Sequence, residues 1–311
     1  MERLPIDEVL AAVCDAARGG AFVLVAPPGA GKTTRVPPAL LPQVTGEIVV
    51  LEPRRVAARA AARRIAAERG EAVGQTVGYQ VRFDRVIGPS TRIRVVTDGI
   101  LLRKLVDDPL LDGIGAVLVD EVHERGLETD LALALLREVR DARPELVVGA
   151  MSATIDAGPL ADWLGAQVIT SAGRAHPVEV EHLPIPDPRR LDEVVADGIR
   201  RMLRDHDGDV LAFLPGVREI RWTRERLGAV PDVDLVDLYG DLAPEVQDRA
   251  LVAGPRRRVV LATNVAETSV TVPGVRIVVD SGLARRPRRD PSTGIDHLDT
   301  VRISRASADQ R

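Results

Sequence analysis

Cysteine occurs once, lysine twice, and aromatic residues make up only 2% of the 311 positions. The single Cys14 excludes an internal disulfide and leaves no thiolate cluster for zinc. So few rings argue against a face of base-stacking aromatics of the kind that reads RNA sequence. Any nucleic-acid contact would have to favour the sugar-phosphate backbone. No apolar run approaches the roughly 18 residues needed to span a bilayer, and Phe22 to Ala26 or Ala116 to Val119 are strand-length segments. Glu2, Asp7 and Glu8 precede any long apolar stretch, so the N-terminus does not read as a signal peptide and a cytoplasmic setting is the default.

What is present is the profile of a globular protein, with 45% hydrophobic and 28% charged residues and length enough for two domains with separate cores. Net charge is −4, which argues against a coat of positive potential but leaves room for a local arginine-lined groove. Of the 42 basic residues only Lys32 and Lys104 are lysines. Where arginine is the rule, a retained lysine hints that a compact ammonium is wanted.

Apolar β-branched runs at 21–26, 47–51, 93–96, 116–120, 146–150, 210–214, 234–238, 258–262 and 275–280 alternate with helical patterns such as Val56 to Arg69 and Asp130 to Arg140. This alternation predicts α/β domains with mostly parallel sheets and helices on both faces. Periodicity fades near Gly173 to Arg190, where Pro177, Pro184, Pro186 and Pro188 favour an extended connection. The expected domains are therefore 1–173 and 191–311, joined by 174–190.

The strand Phe22 to Ala26 runs into Pro28-Gly29-Ala30-Gly31-Lys32-Thr33-Thr34, a Walker A loop with Ala26 in place of the usual first glycine. Small residues let backbone N–H groups wrap a phosphate chain at the positive end of the following helix. Lys32 would reach the phosphates of ATP and Thr33 would ligate Mg²⁺. Alanine suits position 26 if that position does not need positive φ. The strand Ala116 to Val119 ends in Asp120-Glu121-Val122-His123-Glu124. Two adjacent carboxylates after a buried strand are costly unless they meet a cation. In the Walker B reading Asp120 holds the magnesium and Glu121 aligns and deprotonates the attacking water.

Asp-Glu-Val-His resembles the DEAH box of superfamily 2 helicases, with valine in the alanine position. Other blocks follow in family order: Glu52-Pro53-Arg54-Arg55-Val56-Ala57-Ala58, which resembles the family's motif Ia, then Thr97-Asp98-Gly99, Ser152-Ala153-Thr154, Phe213-Leu214-Pro215-Gly216, and Thr263-Asn264-Val265-Ala266-Glu267-Thr268-Ser269 followed by Asp280-Ser281-Gly282. The resemblance is strongest to the bacterial HrpB-type branch, on Leu51-Glu-Pro-Arg-Arg and Thr271-Val-Pro-Gly-Val. It implies two RecA-like P-loop NTPase domains and an ATP-driven motor, likewise using Mg²⁺, on single-stranded nucleic acid, RNA by family preference, acting as a monomer. The alternative is an ATP-switched RNA-binding clamp with little turnover.

The resemblance also assigns roles. Arg54, Arg55, Thr97, Thr263 and Asn264 would contact the nucleic-acid backbone; a solvated helix start is the lesser alternative for the arginines, and the threonines could equally be helix caps. Ser152 and Thr154 would couple the two sites or simply form a turn. His123 would couple the magnesium site, and the adenine would meet Arg63 or Arg64. Gln310-Arg311 opens motif VI, so Gln310 would reach the water. The later finger arginines of that motif lie beyond position 311, which implies slow hydrolysis for residues 1–311 unless Arg285 or Arg286 substitutes. A terminal Arg311 is expected to fray.

Overall fold

A computed structural model of the chain describes residues 3–153, 156–173, 177–183, 190–267, 272–290 and 292–311. Thr154, Thr268, Ser269 and most of the proline-rich connection lie outside the described residues. The chain divides into two compact units, 1–177 and 178–311.

The first unit runs α1 (Leu10–Arg18), β1 (Ala21–Val25), α2 (Lys32–Leu40), β2 (Glu47–Leu51), α3 (Arg55–Glu68), β3 (Val77–Val81), β4 (Asp84–Val86), β5 (Ile93–Val96), α4 (Asp98–Asp107), β6 (Ile114–Val119), α5 (Leu127–Ala142), β7 (Val147–Ser152), α6 (Ala157–Leu164) and β8 (Gln167–Thr170). Its sheet has the order β4-β3-β5-β2-β6-β7-β1-β8, parallel throughout except for the β3–β4 hairpin. Successive side chains point to opposite faces, so both faces of a parallel sheet must be covered. Phe22 and Leu24 of β1 join one core with α1, α2 and α3, while Val23 joins another with α4, α5 and α6.

The second unit runs α7 (Leu191–Asp205), β9 (Asp209–Phe213), α8 (Val217–Leu227), β10 (Val233–Leu238), α9 (Pro244–Ala250), β11 (Arg257–Ala262), β12 (Val275–Asp280), β13 (Leu283–Arg289), β14 (Asp296–Arg302) and α10 (Arg305–Gln310). Four strands form a parallel sheet of order β10-β11-β9-β12, and β13 and β14 form a separate antiparallel hairpin. Alternation again sorts the faces: Val210 and Ala212 pack with α7 and α8, and Leu211 and Phe213 pack in the cluster that includes Ala250 of α9.

The expected α/β architecture with mostly parallel sheets holds, and each of the nine expected strands is present to within two residues at either end. Five further strands were not anticipated. Strands β4 and β8 are edges, and β8 leaves Gln167, Val168 and Thr170 exposed, so neither carries a buried apolar run. The strand β13 reads Leu-Ala-Arg-Arg-Pro-Arg-Arg, where pairing with β14 rather than burial defines the strand. Among the described residues no helix is long and apolar enough to cross a membrane.

Candidate active site

Every parallel strand of the first sheet ends on the same rim, and the motif residues follow those ends. The loop after β1 enters α2 through Gly31, whose φ of 98° is left-handed; Gly29 is also left-handed, with φ 73°. These two positions need glycine for backbone reasons. Ala26 is fully buried and absent from the residues with positive φ, so alanine there carries no strain. Its N–H donates to the Ser152 carbonyl at 3.0 Å, which fastens the start of the loop to the end of β7.

Lys32 is buried, and its Nζ donates to the carbonyls of Ala26 at 2.8 Å and Pro27 at 3.4 Å. The ammonium thus lies curled inside its own loop. Thr33 Oγ1 donates to Asp120 Oδ2, a contact that crosses the end of β7, since β7 lies between β1 and β6. Residues 87 positions apart thereby become one site. The Thr34 hydroxyl donates to the Gly31 carbonyl at 3.4 Å, and Pro28 and Gly29 are exposed at the mouth of the loop.

Beneath the loop the carboxylates are crowded. Asp120 is fully buried and Glu121 nearly so. Burial pushes the Asp120 carboxyl up to about 6, the Glu121 charge adds to this, and Lys32 and the Thr33 hydroxyl oppose it. Glu121 adopts left-handed φ 54° and opens the single turn Val122–Glu124. A non-glycine residue in this region is uncommon and is held by its surroundings. Here its N–H donates to Asp120 Oδ1 at 2.9 Å. His123 Nδ1 accepts the Ala153 N–H at 3.3 Å and lies 3.4 Å from Glu121 Oε2. Burial lowers the His123 pKa, in keeping with a neutral ring whose Nδ1 is an acceptor.

One acidic neighbour was missed in the sequence. Glu52, just past β2, is fully buried. Its Oε1 accepts the Arg54 N–H at 3.3 Å, while Oε2 has no partner. Full burial and the charges of Asp120 and Glu121 hold it well above the usual carboxylate range. The signal was available in Glu52-Pro53, a carboxylate closing a buried apolar strand. Among the described residues no group of three or more His, Cys, Asp or Glu could hold a metal alone. Thr33 with Asp120 fits Mg²⁺ instead, which takes one or two protein ligands and completes its shell with phosphate and water.

Along the same rim, Arg54 caps α3 and reaches Glu124 Oε2 at 3.1 Å, so motif Ia and the Asp-Glu-Val-His turn are joined by an ion pair. Arg55 is exposed. Thr97 stands at the N-cap of α4 without a side-chain cap bond. At the β3–β4 tip Phe83 is 90% exposed with the Arg82 guanidinium 4.7 Å over its ring, another feature unmarked in the sequence. Arg64 is paired with Glu68 on the exposed face of α3.

In the second unit Thr263 is the N-cap of the turn Asn264–Ala266, again without a side-chain cap bond, and Asn264 is exposed. Gln310 ends α10. The expected fraying of Arg311 is overturned, because its side chain is only 2% exposed. Its guanidinium donates to Glu267 Oε2 at 2.9 and 2.8 Å and to Asp280 Oδ1 at 2.6 Å, and stacks 4.5 Å over Phe213. Ser307 also donates to Glu267, so a carboxylate fork rather than chain position decides the order there. Arg285 is tied to Glu219 at 3.2 Å.

Comparison with known proteins places these features in context. The family described as Helicase conserved C-terminal domain matches residues 191–307. Over its whole length the chain is 46% identical to the ATP-dependent RNA helicase HrpB of Escherichia coli (strain K12) and covers 40% of that protein. It is 38% identical, again over its whole length, to the ATP-dependent RNA helicase HrpA of the same strain, covering 25% of it. The crystal structure of Escherichia coli DEAH/RHA helicase HrpB matches with a TM-score of 0.92 at 46% identity, over 99% of this chain and 41% of that one. The chain therefore spans about two fifths of the length of these HrpB proteins.

Proposed function

Because the chain belongs to the DEAH/RHA helicases, in their HrpB branch, we propose that it hydrolyses ATP with magnesium and couples hydrolysis to single-stranded RNA. The observation that carries this reading is the Thr33–Asp120 contact beneath a glycine-bearing loop, with Glu121 and Lys32 buried beside it. Such a concentration of buried carboxylate is costly, and a cation arriving with the substrate would relieve it.

In this reading the loop amides and the N-terminus of α2 bind the phosphates, and Lys32 leaves its two carbonyls to join them. Thr33 and Asp120 would hold Mg²⁺, which when bound supplies charge neutralisation for the phosphate oxygens. Glu121 orients the attacking water and takes its proton. His123, neutral and held by the Ala153 N–H, stands beside the Glu121 carboxylate and limits the space open to it. The Arg54–Glu124 ion pair offers a direct route by which backbone contact at motif Ia alters the hydrolytic turn.

On the nucleic acid we assign Arg55, Thr97 and the Arg82–Phe83 tip to the first unit, and Thr263 and Asn264 to the second. Arginine and short hydroxyls suit phosphate oxygens, and one exposed ring suits stacking on any base. Turnover of ATP measured with and without poly(U) and poly(dT) tests the proposal. Stimulation by poly(U) is expected, and MgATP binding that no single strand affects would overturn the coupling to RNA.

A further inference from the structure

The phosphate loop is not held by its own strand and helix alone. The short helix Pro5–Glu8 and the residue before it lie against the loop from outside. Ile6 is fully buried in the core beneath it, and its N–H donates to the Ala30 carbonyl at 3.1 Å. A Cβ added at Gly31 would lie 2.7 Å from Leu4 Cδ1 and 3.1 Å from Ile6 Cγ2. These two apolar side chains therefore press directly on the last residue before α2.

The strap is itself tied down. The Asp7 carboxylate accepts the Leu4 N–H at 2.9 Å and faces Arg35 of α2 at 4.0 Å. Ser171 donates to the Pro5 carbonyl at 3.4 Å, from beyond the end of β8. Arg35 and Ser171, both distant in sequence, thus join the local Asp7 contact in fixing a stretch that meets the loop through a hydrogen bond and two side chains.

That single bond has a geometric consequence. In a trans peptide the carbonyl of one residue and the N–H of the next point in opposite directions. Drawing the Ala30 carbonyl toward Ile6 turns the Gly31 N–H away from the strap. A phosphate-binding loop acts through backbone N–H groups that are already aligned when the anion arrives.

We propose that Leu4 and Ile6 are positioning residues for nucleotide binding, and that the Ile6 N–H to Ala30 carbonyl bond presents the Gly31 amide to the phosphates. The proposal rests on the assignment of MgATP to this loop. Neither residue touches nucleotide, so the effect should follow the phosphates and be indifferent to the base.

The test is the affinity for MgADP and MgGDP of Ile6→Pro, which removes the donor, and of Leu4→Ala, which removes the lateral support. Loss of one hydrogen bond to an anion corresponds to a weakening of about tenfold or more. Ile6→Pro should show such a loss for both nucleotides alike, and Leu4→Ala a smaller one. Ile6→Val, which keeps the N–H, should restore binding. If Ile6→Pro does not fold, an ester in place of the residue 5–6 amide removes the same donor without changing the side chain. Wild-type affinity in the folded ester or proline variant would overturn the proposal. A loss confined to one base would do so as well. Failure of the unaltered chain to bind either nucleotide would instead overturn the assignment of the loop to MgATP.

Discussion

Glu52, Asp120 and Glu121 are buried together on the rim of the first sheet, with Lys32 as the nearby ammonium, and Glu52 Oε2 has no partner. In the second unit Arg258 is equally buried, yet its guanidinium meets Asp209 at 2.8 Å and the carbonyls of Ala250, Val252 and Pro273. Arg311 is likewise matched by Glu267 and Asp280. Both regions bury charge at the rim of a parallel sheet, but the first leaves Glu52 Oε2 without a partner, whereas the second meets its guanidinium groups with carboxylates and carbonyls. Buried charge that the fold leaves unmet marks where a ligand must complete the site, whereas buried charge met by fork and carbonyl is a fastening.

Four experiments sharpen or break that contrast. The largest effect is expected for Glu121→Gln, which should lower ATP turnover by roughly 10² to 10⁴ while MgATP still binds. Lys32→Ala should instead abolish tight binding. Equal loss of affinity in both variants, read by calorimetric titration, would refute their separate roles.

In the second unit Asp209→Ala strands the Arg258 guanidinium. Removing one member of a buried pair costs about 3–5 kcal/mol, and denaturant unfolding should show a loss of this size without weakening of MgADP binding. A loss below about 1 kcal/mol would mean that Arg258 finds solvent or other acceptors.

Asp120 should behave in the opposite sense. Its folded pKa, raised to about 6 by burial, means that the folded form binds the proton more tightly than the unfolded chain does. Stability from this group is fully present below the unfolded carboxylate range and is lost as pH rises through about 6. Without metal or nucleotide, Asp120→Asn should therefore stabilise the chain at pH 7.5, on the order of 1–3 kcal/mol. Melting curves at pH 5 and 7.5 check this, because the gain should shrink at the lower pH.

The smallest effect concerns the nucleic-acid rim. Arg55→Ala should weaken binding of all single strands alike and flatten the slope of log affinity against log salt by about one. Arg54→Ala should flatten it less, since Arg54 is already paired with Glu124. An identical change in slope for both variants would show that the ion pair opens on binding.

The nine strands seen in the sequence are runs rich in apolar β-branched residues, and all but the edge strands β10 and β12 are largely buried in their parallel sheets. Of the strands that escaped notice, β4 and β8 lie at edges, and β13 and β14 form a hairpin where arginine and proline are tolerated. The fifth, β3, is an interior strand, buried at Val77, Tyr79 and Val81, whose short Val-Gly-Tyr-Gln-Val run was not read as one. The Walker loop, the Asp-Glu-Val-His turn and the arginines of motif Ia were readable because their chemistry requires fixed residue types at fixed local spacing. Lys32 and Thr33 must sit at a helix start, and Asp120 must end a strand.

Local spacing could not say what lay opposite what. Thr33 meets Asp120 only because β7 separates β1 from β6 in the sheet. Glu52 becomes part of an acidic cluster only because β2 lies beside β6, and Arg54 is neutralised only when Glu124 comes within 3.1 Å. The burial of Arg311 likewise needed Glu267, Asp280 and Phe213 to converge from three elements. The amino-acid sequence by itself determined the chemistry available at each strand end, since propensity and spacing act over a few residues. Strand order decided which of those ends share a site, because a charge's partners and its burial are properties of the packed sheet.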